Sequence, residues 1–291
     1  MMDGPLRIGD VTVHRLVEMT APLGPIGEFL PNLSAETLAA NRGWLQAGGA
    51  LDDKDEIVLC FQSFLVRTPH HTILVDSCVG NDKERARPMW NQRQDPAWLA
   101  ALAATGTRVE EIDYVLCTHL HVDHVGWNTR LENGHWVPTF PNARYVFSEK
   151  EFAYWNERNA EAAIPHFTDS VLPVVAARRA DLVANDFAIG DVVRLLPTPG
   201  HTPDHVAVEV GRGRTDAVIT GDLLHSPLQM RHPELQMRID FDPAQAVATR
   251  RGFLERFCDS ETVCCFAHFP SPSLGRVRRW GEGFRCEDVN G

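Results

Sequence analysis

Apolar and polar residues alternate in short stretches over the first part of the chain, as they do in strands. Residues 11–18 predict one strand, and the Pro- and Gly-rich residues 19–32 predict a long loop because they cannot continue a regular element. Residues 61–68 and 72–80 predict a β-hairpin whose second strand ends at Asp76. The chain therefore begins with strands.

A helical pattern first appears at residues 95–106, with Asp95 as the predicted N-cap, Pro96 in the first turn and Gly106 at the end. Further strands are predicted at residues 114–118, 144–148, 192–198, 205–210, 217–222 and 262–268, and further helices at 148–157 and 242–257. Strands and helices alternate in both halves without a composition break or a short repeat. The pattern predicts one α/β domain, residues 1–291, with two sheets between helices.

Length and net charge narrow the classes of molecule that this protein is expected to bind. The chain has 291 residues, of which 44% are hydrophobic, and its 28 Lys and Arg against 39 Asp and Glu give a net charge of −11. An acidic surface repels a phosphate backbone, so nucleic acid is not an expected partner. The start MMDGPLRIGD lacks a secretory pattern, and no apolar run is long enough to span a bilayer. We expect a cytoplasmic, soluble protein without a membrane partner.

The seven cysteines argue against a disulfide framework, because their number is odd and no CxxC pair occurs. Most are expected to be small buried hydrophobic residues. Cys117 lies two residues before His119, so a role as a metal ligand is one interpretation of it. A position in the core is favoured for it, because it would share a face with the histidines only in an extended strand.

The stretch CTHLHVDHVGW, residues 117–127, is rich in histidine. It places three histidines and an aspartate directly after a predicted strand: His119, His121, Asp123 and His124. A purely structural explanation would require a separate hydrogen-bond partner for each of these side chains. A divalent cation satisfies all of them at once, since imidazole and carboxylate are good ligands for zinc and its neighbours. The cluster predicts a metal site.

Three later strands also end in metal-competent residues. His201 lies in TPGHTPDH, Asp222 in VITGDLLH and His268 in CFAHFP. Each alone is typical of a loop residue or a helix cap. Together with the histidine cluster they indicate a shared metal site. The direct succession of Asp123 and His124 requires a sharp turn, which would let one segment face two metals.

These residues resemble the metallo-β-lactamase superfamily of hydrolases, through HLHVDH at 119–124, His201, Asp222, His268 and the strand-end Asp76 in ILVDS. The resemblance implies an αββα sandwich of two mixed β-sheets flanked by helices, with a two-metal site at one edge. In the ligand set that it implies, one metal is held by His119, His121 and His201, the other by Asp123, His124 and His268, Asp222 bridges them, and Asp76 orients ligand imidazoles.

Two divalent cations with five neutral histidines and two carboxylates leave a site that is positive before solvent binds. Such a site makes a bridging hydroxide near neutral pH and polarises the electrophile, so hydrolysis is the expected reaction and Asp123 and Asp222 are candidate catalytic residues. Zinc is the preferred metal, and manganese, iron and cobalt suit the same ligands. A diiron redox protein and an inactive metal-binding protein are the remote alternatives.

The resemblance also narrows the kind of hydrolase. The bridging Asp222 argues against true β-lactamases, the short segment after His268 against glyoxalase II, and the acidic charge against ribonuclease Z. The branch that remains contains lactonases, arylesterases and phosphotriesterases. We expect a small apolar or aromatic ester-like substrate, a lactone or a carboxylic ester, with phosphotriester hydrolysis or hydrolytic dehalogenation as the alternative.

Two further histidines accompany the ligand set. His225 occupies the position, three residues after Asp222, where homoserine lactonases carry a tyrosine. We expect it at the rim of the metal site as a proton donor or oxygen-binding group, with a structural role as the alternative. His205 is expected to be a structural partner that points inward.

Two tryptophans and two methionines are candidate substrate-facing residues. Trp90, Trp127, Met230 and Met237 lie in segments that overhang the metals in the resembled family, which favours an apolar substrate, and ordinary core packing is the alternative for each. A homodimer is compatible with the sequence.

Overall fold

A computed structural model describes residues 4–270 and 272–289. It divides into two compact units, one formed by residues 20–60 and 186–289, the other by residues 4–19 and 61–185. We call them the carboxyl-terminal unit and the amino-terminal unit. Among the described residues, no helix combines the length and the apolar character that crossing a lipid bilayer requires.

The strands up to residue 183 are β1 (Leu6–Ile8), β2 (Val11–Pro25), β3 (Glu56–Arg67), β4 (Thr72–Val75), β5 (Tyr114–Leu116), β6 (Thr129–Glu132), β7 (His135–Pro138), β8 (Arg144–Ser148) and β9 (Ala180–Val183). Seven of them form a sheet in the order β1-β2-β3-β4-β5-β8-β9, and β6 and β7 form a separate hairpin. The pairs from β4 to β9 are parallel, whereas β3 and β4 are antiparallel. The sheet is therefore mixed, and the predicted hairpin at residues 61–80 is confirmed.

The remaining strands are β10 (Ala188–Ile189), β11 (Val193–Pro197), β12 (Val206–Val210), β13 (Ala217–Ile219), β14 (Val263–Cys265), β15 (Leu274–Trp280) and β16 (Gly283–Asp288). They form a second seven-stranded sheet in sequential order. Only β13 and β14 pair in parallel, with Ile219 opposite Cys265. Because parallel neighbours end at the same edge of a sheet, the residues that follow β13 and β14 emerge side by side. These residues include Asp222 and His268.

The helices are α1 (Ile26–Phe29), α2 (Ala35–Ala47), α3 (Ala97–Ala104), α4 (Glu149–Glu161), α5 (Pro165–Ser170), α6 (Leu172–Ala176), α7 (Leu228–Arg231) and α8 (Pro243–Phe257). Side-chain oxygens of Ser34, Ser148 and Asp242 cap α2, α4 and α8 by accepting a backbone N–H in the first turn. The predicted helices at 95–106, 148–157 and 242–257 are confirmed. The N-cap residue of α3 is Pro96, so the predicted cap at Asp95 is wrong, although the Asp95 carboxylate accepts the backbone N–H of Ala97.

Each unit has its own apolar core. In the amino-terminal unit, Trp98 of α3 and Trp127 stack with ring centroids 5.3 Å apart. The carboxyl-terminal unit packs Phe253 and Phe257 of α8 against the second sheet. Cys117 is buried in the first core, as expected, and all seven cysteines are free thiols.

The fold class is confirmed, because helices accompany two large mixed sheets. The long loop predicted at 19–32 is wrong, since β2 continues to Pro25 and α1 follows it directly. Membership of the sheet, in which β3 is the other hydrogen-bonded neighbour of β2, outweighs the weak strand propensity of the Pro and Gly residues there. A single domain over residues 1–291 stays a prediction.

Candidate metal centre

The amino-terminal unit holds the histidine cluster in the turn that follows β5. Nε2 of His119 lies 3.0 Å from Nδ1 of His121, and the rings of His119 and His124 are 4.1 Å apart at their centroids. An Asp123 carboxylate oxygen lies 3.9 Å from Nε2 of His124. The four residues predicted from the sequence are therefore close neighbours in space.

Asp76 orients one of these imidazoles. It directly follows β4 in the left-handed region, with φ of 58°, and its carboxylate lies 2.9 Å from Nδ1 of His124. The same carboxylate accepts the backbone N–H of Thr118 at 2.7 Å and its hydroxyl at 2.8 Å. Since a carboxylate only accepts, Nδ1 of His124 carries the proton and Nε2 of the neutral ring keeps its lone pair. The orienting role predicted for Asp76 is supported by this geometry.

A close backbone contact fixes the turn that carries these histidines. A Cβ at Gly126 would lie 1.9 Å from the carbonyl oxygen of Val79, so only glycine fits there. The buried Glu18 carboxylate accepts the N–H groups of Val79 and Gly80 and, at 2.8 Å, the indole N–H of Trp127. Burial raises the pKa of Glu18 although these hydrogen bonds lower it. Sequence reasoning did not identify Glu18.

In the carboxyl-terminal unit, three imidazole rings surround the Asp222 carboxylate. Its Oδ1 lies 2.8 Å from Nε2 of His268, and its Oδ2 lies 3.2 Å from Nε2 of His201 and 3.1 Å from Nε2 of His225. All four side chains are buried. Asp222, His225 and His268 each offer a ligand atom, and these atoms lie within 4.8 Å of one another. Such a buried set has the chemistry of a metal centre.

The outer contacts of this cluster fix the tautomers. Nδ1 of His268 lies 2.9 Å from the carbonyl oxygen of Cys60, and Nδ1 of His201 lies 2.9 Å from a carboxylate oxygen of Asp240. Both partners can only accept, so in the neutral rings Nε2 carries a lone pair that faces the Asp222 carboxylate. A lone pair and a carboxylate that face each other repel unless a proton or a metal cation lies between them. The donor set therefore fits a divalent metal.

The electrostatics agree with this fit. Burial by itself would lower the pKa of His201, but hydrogen bonds to Asp222 and Asp240 raise it to about 9. The two carboxylates thus favour positive charge at this ring. Sequence reasoning missed Asp240. The only signal for it is an aspartate between Ile239 and Phe241, which does not reveal a contact with a residue 39 positions away.

His225 is buried, and its Nε2 lies 3.1 Å from the Asp222 carboxylate, so its place at the rim of the metal site stays a prediction. Its ring stacks on His268 with centroids 5.3 Å apart, and its backbone N–H donates to the Gln229 side chain at 2.8 Å. Burial lowers the pKa of His225, against the effect of Asp222. His205 is fully buried and contacts Asp222, which agrees with the predicted structural role.

The aromatic and methionine side chains proposed to face the substrate are core residues. Trp127 and Met230 belong to the two apolar cores, and Trp90 and Met237 are buried. These side chains pack inside the protein because their large apolar surfaces favour burial. Their positions agree with ordinary core packing, the alternative given for each, and contact with a substrate stays a prediction.

Comparisons with known proteins agree with this arrangement. The sequence model of the Metallo-beta-lactamase superfamily matches residues 62–268, a range that contains every predicted ligand. An N-acyl homoserine lactonase of Bacillus cereus is 22% identical over 167 residues, which cover 54% of this chain and 60% of the lactonase. A hydroxyacylglutathione hydrolase of Rhodopseudomonas palustris is 32% identical over 111 residues, 38% of this chain and 32% of that enzyme. The chain thus spans only part of the length of these relatives.

Solved structures show the same fold. The hydrolase AbOPH of the beta lactamase superfamily superposes with a TM-score of 0.81 at 24% identity and covers 98% of this chain and 96% of its own. AidC, described as a dizinc quorum-quenching lactonase, superposes with a TM-score of 0.80 at 20% identity over the same shares of the two chains. The family match extends over most of the sequence and includes the motifs that carry the metal-competent residues. This chain belongs to the metallo-β-lactamase superfamily.

Proposed function

We propose that this protein is a metal-dependent hydrolase of a small, apolar or aromatic, ester-like substrate, and that the substrate is a lactone or a carboxylic ester. The observation that carries the proposal is the buried Asp222 carboxylate, which faces the Nε2 atoms of His201, His225 and His268 within 3.2 Å. Lactonases among the relatives support the choice of substrate class.

The proposed ligands follow the family pattern, with two divalent metals per chain. His119, His121 and His201 would hold one metal, Asp123, His124 and His268 the other, and Asp222 would bridge them. Zinc is the proposed metal, since AidC is described as a dizinc enzyme and these ligands suit zinc. Manganese, iron and cobalt suit the same donors.

Two divalent cations, when bound, lower the pKa of a water molecule and polarise the group that is attacked. The residues of this chain prepare that chemistry. Asp76 and Asp240 keep protons at Nδ1 of His124 and His201, so that Nε2 of each ring can bind a cation. His225 is proposed to deliver a proton to, or to bind, a substrate oxygen beside Asp222.

The test combines metal analysis with a substrate screen. The purified protein is loaded with zinc, and hydrolysis of an acyl homoserine lactone, an aryl carboxylic ester, a phosphotriester and a chlorinated aromatic compound is measured before and after chelation. Chelator-sensitive turnover of the lactone or the carboxylic ester is the expected result. Preference for the phosphotriester or the chlorinated compound would establish the alternative, and a loaded protein inactive on all four would overturn the proposal.

A further inference from the structure

Helix α8 supports the turn that carries His201. Ala246 and Thr249 lie on one face of this helix, three residues apart. A Cβ at Gly200, where φ is +132°, would lie 2.3 Å from the backbone nitrogen of Ala246, so the turn touches the helix backbone directly. The Thr249 hydroxyl donates to the Pro199 carbonyl at 2.7 Å. This face of α8 is therefore built against the turn before His201.

Arg250 lies on the same face and is 1% exposed. Its Nε donates to the carbonyl of Leu223, the residue directly after Asp222, at 2.9 Å. Its Nη1 donates to the carbonyls of Leu235 at 2.6 Å and Pro233 at 3.0 Å. One buried guanidinium thus joins the turn of Asp222 to the segment that follows α7.

The same guanidinium is linked to His201 and His225 through residues that lie between them. Its Nη2 lies 3.7 Å from Oδ2 of Asp240, whose Oδ1 contacts His201. The Leu235 carbonyl that Arg250 contacts also accepts Nε2–H of Gln229 at 3.0 Å. The side-chain oxygen Oε1 of Gln229 in turn accepts the backbone N–H of His225 at 2.8 Å.

We propose that Arg250 is a positioning residue of the metal centre, which sets the relative placement of His201, Asp222 and His225 without touching metal or substrate. The inference rests on the proposed metal-dependent function. Its chemical basis is the planar guanidinium, whose N–H groups point in fixed directions and can bind several carbonyls and a carboxylate together. A lysine ammonium has the charge but not this geometry. Loss of such outer contacts typically reduces metal affinity by about 10- to 100-fold.

The test is Arg250→Lys, with Arg251→Lys as the matched control. Arg251 is the next residue of the same helix, is exposed, and lies 3.6 Å from Glu234. The full-length proteins are freed of metal, and Co²⁺ binding is measured by competition with a chelator and by the ligand-field absorption spectrum. Arg250→Lys should weaken Co²⁺ binding by about 10-fold or more and shift the spectrum. Arg251→Lys should match the unmutated protein in both.

Unchanged Co²⁺ affinity and spectrum in folded Arg250→Lys would overturn the proposal. If that variant does not fold, Gln229→Leu takes its place, because it cuts the link from Leu235 to His225 and leaves Arg250 intact. Wild-type Co²⁺ binding in Gln229→Leu would overturn the proposed placement of His225 through Leu235. Neither measurement needs a substrate. A protein that binds Co²⁺ normally but hydrolyses no ester would therefore refute the proposed function and leave this inference standing.

Discussion

The backbone N–H of Asp222 donates a hydrogen bond to Nε2 of His205 over 2.9 Å. Nε2 must then be unprotonated, so Nδ1 carries the proton and faces the Thr198 hydroxyl oxygen at 2.8 Å. Both ring nitrogens are engaged within the protein. His205 therefore holds the backbone of Asp222 in place and has no nitrogen left for a metal.

We predict that His205→Ala lowers the free energy of unfolding by about 1 to 3 kcal/mol, because it removes the acceptor of the buried Asp222 amide and the ring N–H that the Thr198 hydroxyl accepts. Urea unfolding of the metal-free protein measures the change. The exposed His70→Ala provides the control and should unfold like the wild type. Equal stability of His205→Ala and the wild type would show that the hydrogen bond contributes nothing.

The residues that directly follow strands could be found from the sequence. His119, His201 and His268 each come after a short apolar run, and an imidazole in that position is a local and readable signal. Asp76 was identified in the same way. The parallel pairing of β13 and β14 then explains why distant motifs end at one sheet edge.

The residues that support the candidate metal centre could not be found from the sequence, because their hydrogen-bond partners are remote in sequence. Glu18 lies 109 residues from Trp127, and Asp240 lies 39 residues from His201. Arg250 resembles any other arginine of an amphipathic helix until its carbonyl partners are known. Trp127 could likewise be recognised as a buried core residue only from the folded structure.

Metal removal gives the second prediction. The purified protein should contain about two transition-metal ions per chain, and a chelator should lower the Tm and abolish hydrolysis, because ligands that bind only the folded state stabilise it. Elemental analysis and thermal melting of the same samples test this. A fully occupied protein with one ion, or a Tm that does not respond to the chelator, would contradict the proposed centre.

The third prediction concerns Asp222, the proposed bridge. Asp222→Ala should loosen the second metal and abolish hydrolysis while the fold is largely kept, since the side chain that collects three imidazoles is gone. Metal content, circular dichroism and turnover are measured on one preparation. Asp53→Ala, at an exposed position of the same unit, should change none of them. Full activity with full metal content in Asp222→Ala would show that the bridge is misassigned.

Lys83 is an ammonium group buried in the amino-terminal unit. It donates to the Thr129 hydroxyl at 2.8 Å, lies 3.6 Å from the Asp169 carboxylate and sits 3.7 Å from the ring centroid of Trp136. Burial lowers the pKa of Lys83 to about 7, and Asp169 opposes this shift only in part. In the unfolded chain the same group would titrate near its usual value of 10.5.

The fourth prediction follows from the sign of this shift. Between about pH 7 and about pH 10.5 the unfolded chain binds more protons at Lys83 than the folded protein does, so this residue makes the free energy of unfolding rise with pH. Lys83→Met should flatten that rise, and the exposed Lys150→Met should not. Urea unfolding at several pH values in this window measures how steeply the free energy of unfolding rises in each variant. An unchanged slope in Lys83→Met would mean that Lys83 titrates alike in both states.

The last prediction concerns His225, whose ring contacts Asp222 through Nε2 while Nδ1 has no hydrogen-bond partner among residues 4–270 and 272–289. If the ring protonates a departing alkoxide, its loss should cost about 10² to 10⁴ in rate for poor leaving groups and much less for nitrophenolates. We therefore expect a steeper dependence of kcat/KM on leaving-group pKa in His225→Ala, with unchanged metal content.

His225→Gln separates the two roles proposed for this side chain. Glutamine can donate a hydrogen bond to Asp222 or to a substrate oxygen, but it cannot transfer a proton at neutral pH. If His225 is a proton donor, His225→Gln should show the same steep leaving-group dependence as His225→Ala. Recovery of wild-type kcat/KM across the ester series in His225→Gln would instead assign oxygen binding. An equal loss for every ester in both variants, together with reduced metal content, would mean that His225 acts by holding Asp222 in a way that glutamine does not replace.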